Sequence, residues 1–131
     1  MRTVDLPALA VPGAPLSHAV VVAGLVHCSG QVPLAPDGSL VSDDVAAMTR
    51  QALANLDAVL RAAGSALDRV VRTTVYLTDF ADYQEMNLAY AELLAHRPAR
   101  TCVRVAGLPL GARLEIDCVA VAGRAAADSS R

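Results

Sequence analysis

Two short runs near the C-terminal end hold most of the residues in this chain that could do chemistry. Arg100, Cys102 and Arg104 alternate with Thr101, Val103 and Val105, and Glu115 and Asp117 alternate with Leu114, Ile116 and Cys118. Successive side chains of an extended strand point to opposite faces, so each run carries one more polar and one more apolar face. If the runs pair as a hairpin with apolar faces aligned, Val103 and Val105 meet Leu114 and Ile116. Arg100, Cys102, Arg104, Glu115 and Asp117 then share the second face. A guanidinium fork in that setting holds a carboxylate-bearing ligand bidentately, and a neighbouring carboxylate positions water or shuttles a proton. The same residues also read as plain cross-strand ion pairs, each worth ~0.2–1 kcal/mol. Cys102 is a possible nucleophile, although buried thiols more often behave as small hydrophobes, and no His is near it in sequence.

The remaining polar features carry less information. His18, His27 and His96 are scattered singly, and even with Cys28 beside His27 no spacing matches a metal site. Ser29-Gly30-Gln31 is a small polar break after a β-rich run, able to present backbone N–H groups or simply to turn the chain. No GxGxxG, Walker loop or GxSxG pattern is present.

The elements that must position these residues follow from periodicity. Residues 1–13 read as an irregular lead-in, with Pro7, Pro12 and Gly13 in it and Pro15 just beyond. Residues 19–22 and 25–28 form a hairpin around Ala23-Gly24, and Pro36-Asp37-Gly38 makes a turn. Ser42 caps a long helix, with Asp43 and Asp44 in its first turn. Its stripe is Val45, Met48, Ala52, Leu56, Val59 and Ala63, its polar side carries Arg50, Gln51, Asp57 and Arg61, and Gly64 closes it. Residues 70–77 are a strand, and Thr78 or Asp79 caps a second helix with Tyr83, Met86, Asn87, Tyr90 and Leu94 along one side. Pro98 ends that helix. Residues 101–105 and 114–121 are the last strands, and 124–131 are a flexible tail. The order ββαβαββ predicts an α+β fold: a mixed sheet with a parallel crossover, a closing hairpin and two helices on one face. Nothing in the chain is left to cover the other face, which points to a second subunit.

Composition bounds the function. A chain of 131 residues with 54% hydrophobic content builds one core. One Phe, three Tyr and no Trp leave that core to small aliphatic side chains. The apolar excess favours self-association. A net charge of −2 and no Lys give no broad pull towards nucleic acid or membrane. The absence of Lys also excludes an own-chain Schiff base. Three cysteines without CxxC spacing suit a reducing, cytoplasmic compartment. No signal peptide is visible, and no apolar run approaches the roughly 20 residues that span a bilayer.

Across residues 14–122 the chain resembles the Rid (reactive intermediate deaminase, YjgF-type) family, also labelled endoribonuclease L-PSP. The matching stretches are Ser29-Gly30-Gln31-Val32-Pro33, Gln51 to Leu56, Arg72 to Asp79, Met86 to Tyr90, Arg97 to Val103, Leu108-Pro109 and Leu114 to Asp117. The resemblance implies a single Rid-type domain over residues 1–131 with a chorismate-mutase-like (bacillary type) fold. It also implies a homotrimer with a central barrel and clefts between subunits. The implied activity is hydrolysis of 2-aminoacrylate-type enamines or 2-imino acids to 2-keto acids and ammonia, without a cofactor. Arg100 matches the residue that clamps the substrate carboxylate, Glu115 the one that orients water, and Cys102 a residue whose backbone lines the pocket. Ser29, Gly30 and Asn87 match positions close to it.

One position departs from the pattern. Many members carry Gly-Pro-Tyr where this chain has Ala14-Pro15-Leu16, so either His18 substitutes for the tyrosine or the substrate differs. Three other functions stand beside the general deaminase. The first is a non-catalytic, carboxylate-binding or regulatory member, which would keep Arg100 binding without Glu115-dependent turnover. The second is a ribonuclease or translation inhibitor, disfavoured by the lack of Lys and of an aromatic stacking platform. The third is a specialised deaminase of a catabolic pathway.

Overall fold

The structure is a computed structural model that describes residues 1–123; the tail expected at 124–131 lies outside the described residues. Six strands form one mixed sheet: β1 (Arg2–Val4), β2 (Ala19–Val22), β3 (Leu25–Gln31), β4 (Val70–Leu77), β5 (Ala99–Arg104) and β6 (Leu114–Val121). Their order is β1-β2-β3-β6-β4-β5. Two helices, α1 (Val45–Ala62) and α2 (Tyr83–Leu93), lie on one face of it.

The hairpin of β2 and β3 turns on Ala23 (φ 53°) and Gly24 (φ 79°), the two positive-φ positions that match strand twist in a two-residue loop. All six predicted stripe residues of α1, from Val45 to Ala63, are buried, and Gly64 follows the C-cap at φ 85°. The cap itself is Asp44, not Ser42: its carboxylate accepts from Ala47 N at 2.7 Å, joining an N-cap bond to a favourable charge at the helix N-terminus. Asp79 caps a short 3-10 turn (Phe80–Asp82) that leads into α2. Helix α2 ends at Leu93, four residues short of the expected stop before Pro98, with the buried Leu94 as its C-cap outside helical backbone angles. The lead-in also carries structure that its length hides from periodicity: β1 pairs with β2 and buries Val4.

The predicted crossover is present, with β4 and β5 parallel neighbours flanking α2. The closing hairpin is not. Strand β6 inserts between β3 and β4, antiparallel to both, so β5 and β6 never pair. The connection crosses the end of β4, where Val105 N donates to Leu77 O at 2.8 Å and Thr78 N donates to Arg113 O at 3.1 Å. A run of Leu114, Ile116, Cys118 and Ala120, each buried, belongs at the centre of the sheet beneath α1. The more polar β5 takes the edge, where side chains keep access to water. No helix among the described residues is long and apolar enough to cross a membrane.

Candidate active site

Strand register separates the residues that a hairpin would have brought together. Thr73 of β4 is opposite Arg100 on one side and Cys118 on the other, while Tyr76 is opposite Val103 and Glu115. Arg100, Cys102 and Arg104 therefore belong to the helix-covered face, and Glu115 and Asp117 to the open face. The expected single polar constellation is corrected to two half-sites on opposite sides of the sheet.

The Arg100 half-site is built by α2. Tyr83, Asn87 and Tyr90 recur at four- and three-residue spacing and so share the helix face that looks onto β5. The guanidinium Nη1 donates to Asn87 Oδ1 at 2.8 Å, and Nη2 donates to Tyr83 Oη at 3.2 Å. Its central carbon lies 4.9 Å from the centre of the Tyr90 ring and 5.6 Å from that of Tyr83. Cation–π attraction of this kind is worth about 0.5–2 kcal/mol. Tyr90 is buried and hydrogen bonded to Thr73 at 2.6 Å, which fixes the ring. Burial pushes its phenol above the usual range, so it stays neutral. Among the described residues Arg100 has no carboxylate partner. Asn87, Tyr90 and Arg100 line a cleft of about 530 Å³.

The Glu115 half-site lies on a cleft of about 570 Å³ lined also by Leu16, His18, Ser29, Gly30 and Pro109. Glu115 is half-buried; that burial, and then the negative charge of Asp117, hold its carboxyl above the usual carboxylate range. Gly30 sits where the ladder between β3 and β6 is irregular. A Cβ there would come within 2.7 Å of Glu115 Cδ, so only glycine lets the carboxylate lie against this backbone. Asp117 accepts from Tyr76 Oη at 2.8 Å and points along the open face.

His18 is buried with both ring nitrogens committed: Nδ1 accepts from Leu6 N at 2.9 Å and Nε2 donates to Leu9 O at 3.2 Å. It pins the lead-in and is not free to replace a tyrosine hydroxyl. Ser29 donates its hydroxyl to Ser17 O at 2.7 Å, so it shapes the wall. Cys102 lies outside both clefts. Its thiol is pushed up by burial, against the opposing pull of Arg100, and stays protonated. Leu16 is 54% exposed and lines the Glu115 cleft. Tyr83 and Tyr90 escaped the sequence reading as site residues, although their spacing around Asn87 was the available signal. Among the described residues no three His, Cys, Asp or Glu side chains converge as metal ligands would.

Chemically, one half-site offers a pre-oriented cation for a planar carboxylate. The other offers a carboxyl group poised to exchange a proton. Known proteins share this frame. The family model described as Endoribonuclease L-PSP matches residues 8–122. The human 2-iminobutanoate/2-iminopropanoate deaminase is 43% identical over 116 residues, covering 86% of this chain and 85% of that protein. The chloroplastic Reactive Intermediate Deaminase A of Arabidopsis thaliana is 42% identical over 108 residues, 81% of this chain and 58% of that protein. The structure of E. coli TdcF with bound serine superposes with a TM-score of 0.81 at 33% identity, covering 92% of this chain and 98% of that one. The chain belongs to the endoribonuclease L-PSP family, which is also the family of the Rid and RutC proteins.

Proposed function

We propose that the protein is a cofactor-independent deaminase of 2-imino acids and 2-aminoacrylate-type enamines, acting at clefts between copies of the chain. The observation that carries this reading is a complementary pair of unpartnered charges. Arg100 lacks an anion on one face of the sheet and Glu115 lacks a cation on the other, among the described residues. One copy cannot bring both to one small molecule, whereas a ring of copies can. The open face supports such a ring, since Val22, Val103 and Val121 are 40%, 36% and 36% exposed on it. A chorismate-mutase-like homotrimer with these faces turned into a central barrel is the arrangement we favour.

In this scheme Arg100 binds the substrate carboxylate through its fork, with Asn87 and Tyr83 holding the guanidinium plane. Water adds to the imine carbon as Glu115 accepts its proton. Glu115 returns that proton to nitrogen to give the carbinolamine, then relays the hydroxyl proton to the same nitrogen as the C=O bond forms and the C–N bond breaks, so that ammonia and the 2-keto acid leave. An enamine first takes a proton at carbon to reach the imine. A carboxyl held above its ordinary range by burial is better suited than a free one to give and take that proton. The imine carbon is already electrophilic, so positioning and one proton relay suffice. The name of the human relative and the serine held by TdcF agree with an amino-acid-like ligand. Nucleic acid suits the site less well: with no Lys and a net charge of −2, the chain lacks a phosphate-tracking surface.

The test is an assay in which an amino acid oxidase generates 2-imino acids in the presence of semicarbazide. Wild type is expected to speed imine loss, with Arg100→Ala and Glu115→Ala each at least about 100-fold slower. An inert wild type that still binds 2-oxobutanoate through Arg100 would instead establish a carboxylate-binding protein without turnover.

A further inference from the structure

The Glu115 cleft has a composition that bears on which substrates it takes. Most of its wall is aliphatic, with Leu6, Leu9, Val11, Leu16, Val32 and Leu34 among the residues that line it. Its polar residues are few, and two of them are spent. Both ring nitrogens of His18 serve the backbone at Leu6 and Leu9. The Ser29 hydroxyl serves Ser17, whereas Gln31, buried at 6% exposure, makes no side-chain hydrogen bond among the described residues. Asp5 is exposed to solvent, which leaves Glu115 and Gln31 as the polar residues of the wall with capacity to spare. A polar substrate side chain entering here would give up water along a wall that offers few partners.

The wall is also held in shape before any ligand arrives. His18 ties the segment of Leu6 and Leu9 on one side. Opposite it, the buried amide of Asn55 donates to Val32 O at 3.2 Å and to Leu34 O at 3.0 Å. An apolar surface fixed in advance rewards each methylene that fills it, because little ordering is left to oppose binding.

We propose that this cleft receives the side chain of the substrate, and that the protein selects 2-imino acids bearing an aliphatic side chain of roughly four carbons over those bearing a methyl or a polar group. The proposal rests on the deaminase reading for its chemistry, but its selectivity can be measured separately. Carboxylate and imine are common to every candidate substrate, so Arg100 and Glu115 cannot distinguish them. Discrimination falls to the aliphatic wall.

Two measurements on the full-length wild-type protein test it. In the semicarbazide assay, the imine derived from leucine is expected to be hydrolysed with kcat/KM at least about tenfold above that derived from alanine. In calorimetry, 4-methyl-2-oxopentanoate is expected to bind at least about tenfold more tightly than 2-oxopropanoate or 2-oxoglutarate. Leu16→Asn and Val11→Ser, both at exposed positions, should each lower those ratios about threefold or more. Equal binding of the three keto acids, or turnover that ignores side-chain length, overturns the proposal while leaving the deaminase reading intact. Graded binding with no turnover of any imine upholds the selectivity and removes the deaminase reading.

Discussion

The two clefts place opposite charges by opposite means. Around Arg100 the protein uses aromatic faces, an amide oxygen and a phenol, all from one helix, and leaves the cation oriented with its charge uncancelled. Around Glu115 it uses backbone: a glycine allows the carboxylate to lie against β3, and burial with a like charge nearby keeps its proton affinity high. One cleft is organised for recognition of a fixed group and the other for proton exchange beside an apolar wall. Neither resembles a complete active site, and on the proposed reading the sheet that separates them makes completeness a matter for neighbouring copies.

The strongest way to break that comparison is to damage each side in a different copy. Arg100→Ala and Glu115→Ala chains, each inactive alone, should recover ~25% of wild-type activity after co-refolding at equal amounts, because one ordered neighbour contact in four then carries both native residues. A mixture as inactive as its components would place both residues of a working site in one chain, against the geometry of the sheet.

Lesions confined to one side should separate the kinetic constants. Gly30→Ala forces Glu115 out of its place and is expected to lower kcat by about 100-fold with KM little changed. Asn87→Ala loosens the guanidinium and is expected to raise KM by about tenfold with a smaller effect on kcat. Steady-state kinetics on one imine would reveal the split, and equal effects on both constants would blur the two roles into one.

The smallest effect concerns stability. The folded-state carboxyl of Glu115 is held above its ordinary value. Its contribution to stability is therefore fully present below the ordinary glutamate range and is lost as pH rises through the folded value. Glu115→Gln should melt on the order of 1–2 °C above wild type at about pH 8, with the gap closing towards about pH 4. A variant that melts lower at high pH would mean that a cation from a neighbouring copy already neutralises Glu115.

Much of the scaffold was readable in the residues. The α1 stripe, the turn at Ala23-Gly24, the strand at 70–77 and the parallel crossover all follow from local periodicity and turn chemistry. The partner of β6 did not, because alternation along a strand fixes which residues share a face but not which strand lies beside it. Aligning the apolar residues of adjacent runs favoured a hairpin; the buried run of β6 instead gains more from two central neighbours than from one edge strand. That single error moved Arg100 and Glu115 onto one face. Alternation along the two runs singled out Arg100 and Glu115, the family resemblance gave them their roles, and their division between two faces required the sheet order. Leu16 was recognisable as a departure, whereas the commitment of His18 to Leu6 and Leu9 depends on contacts between segments that no spacing reveals.

The sheet order has a consequence for synthesis. On the ribosome β6 emerges after every other strand described, yet it occupies the middle of the sheet. Until about residue 121 has cleared the exit tunnel, β3 and β4 have no common neighbour, and both halves wait with open edges. At ~5–20 residues per second this interval lasts seconds, during which unpaired strands are exposed to association with other chains. A nascent chain arrested before Leu114 should therefore be protease-sensitive throughout, and protection should appear in one step once the last strand is released.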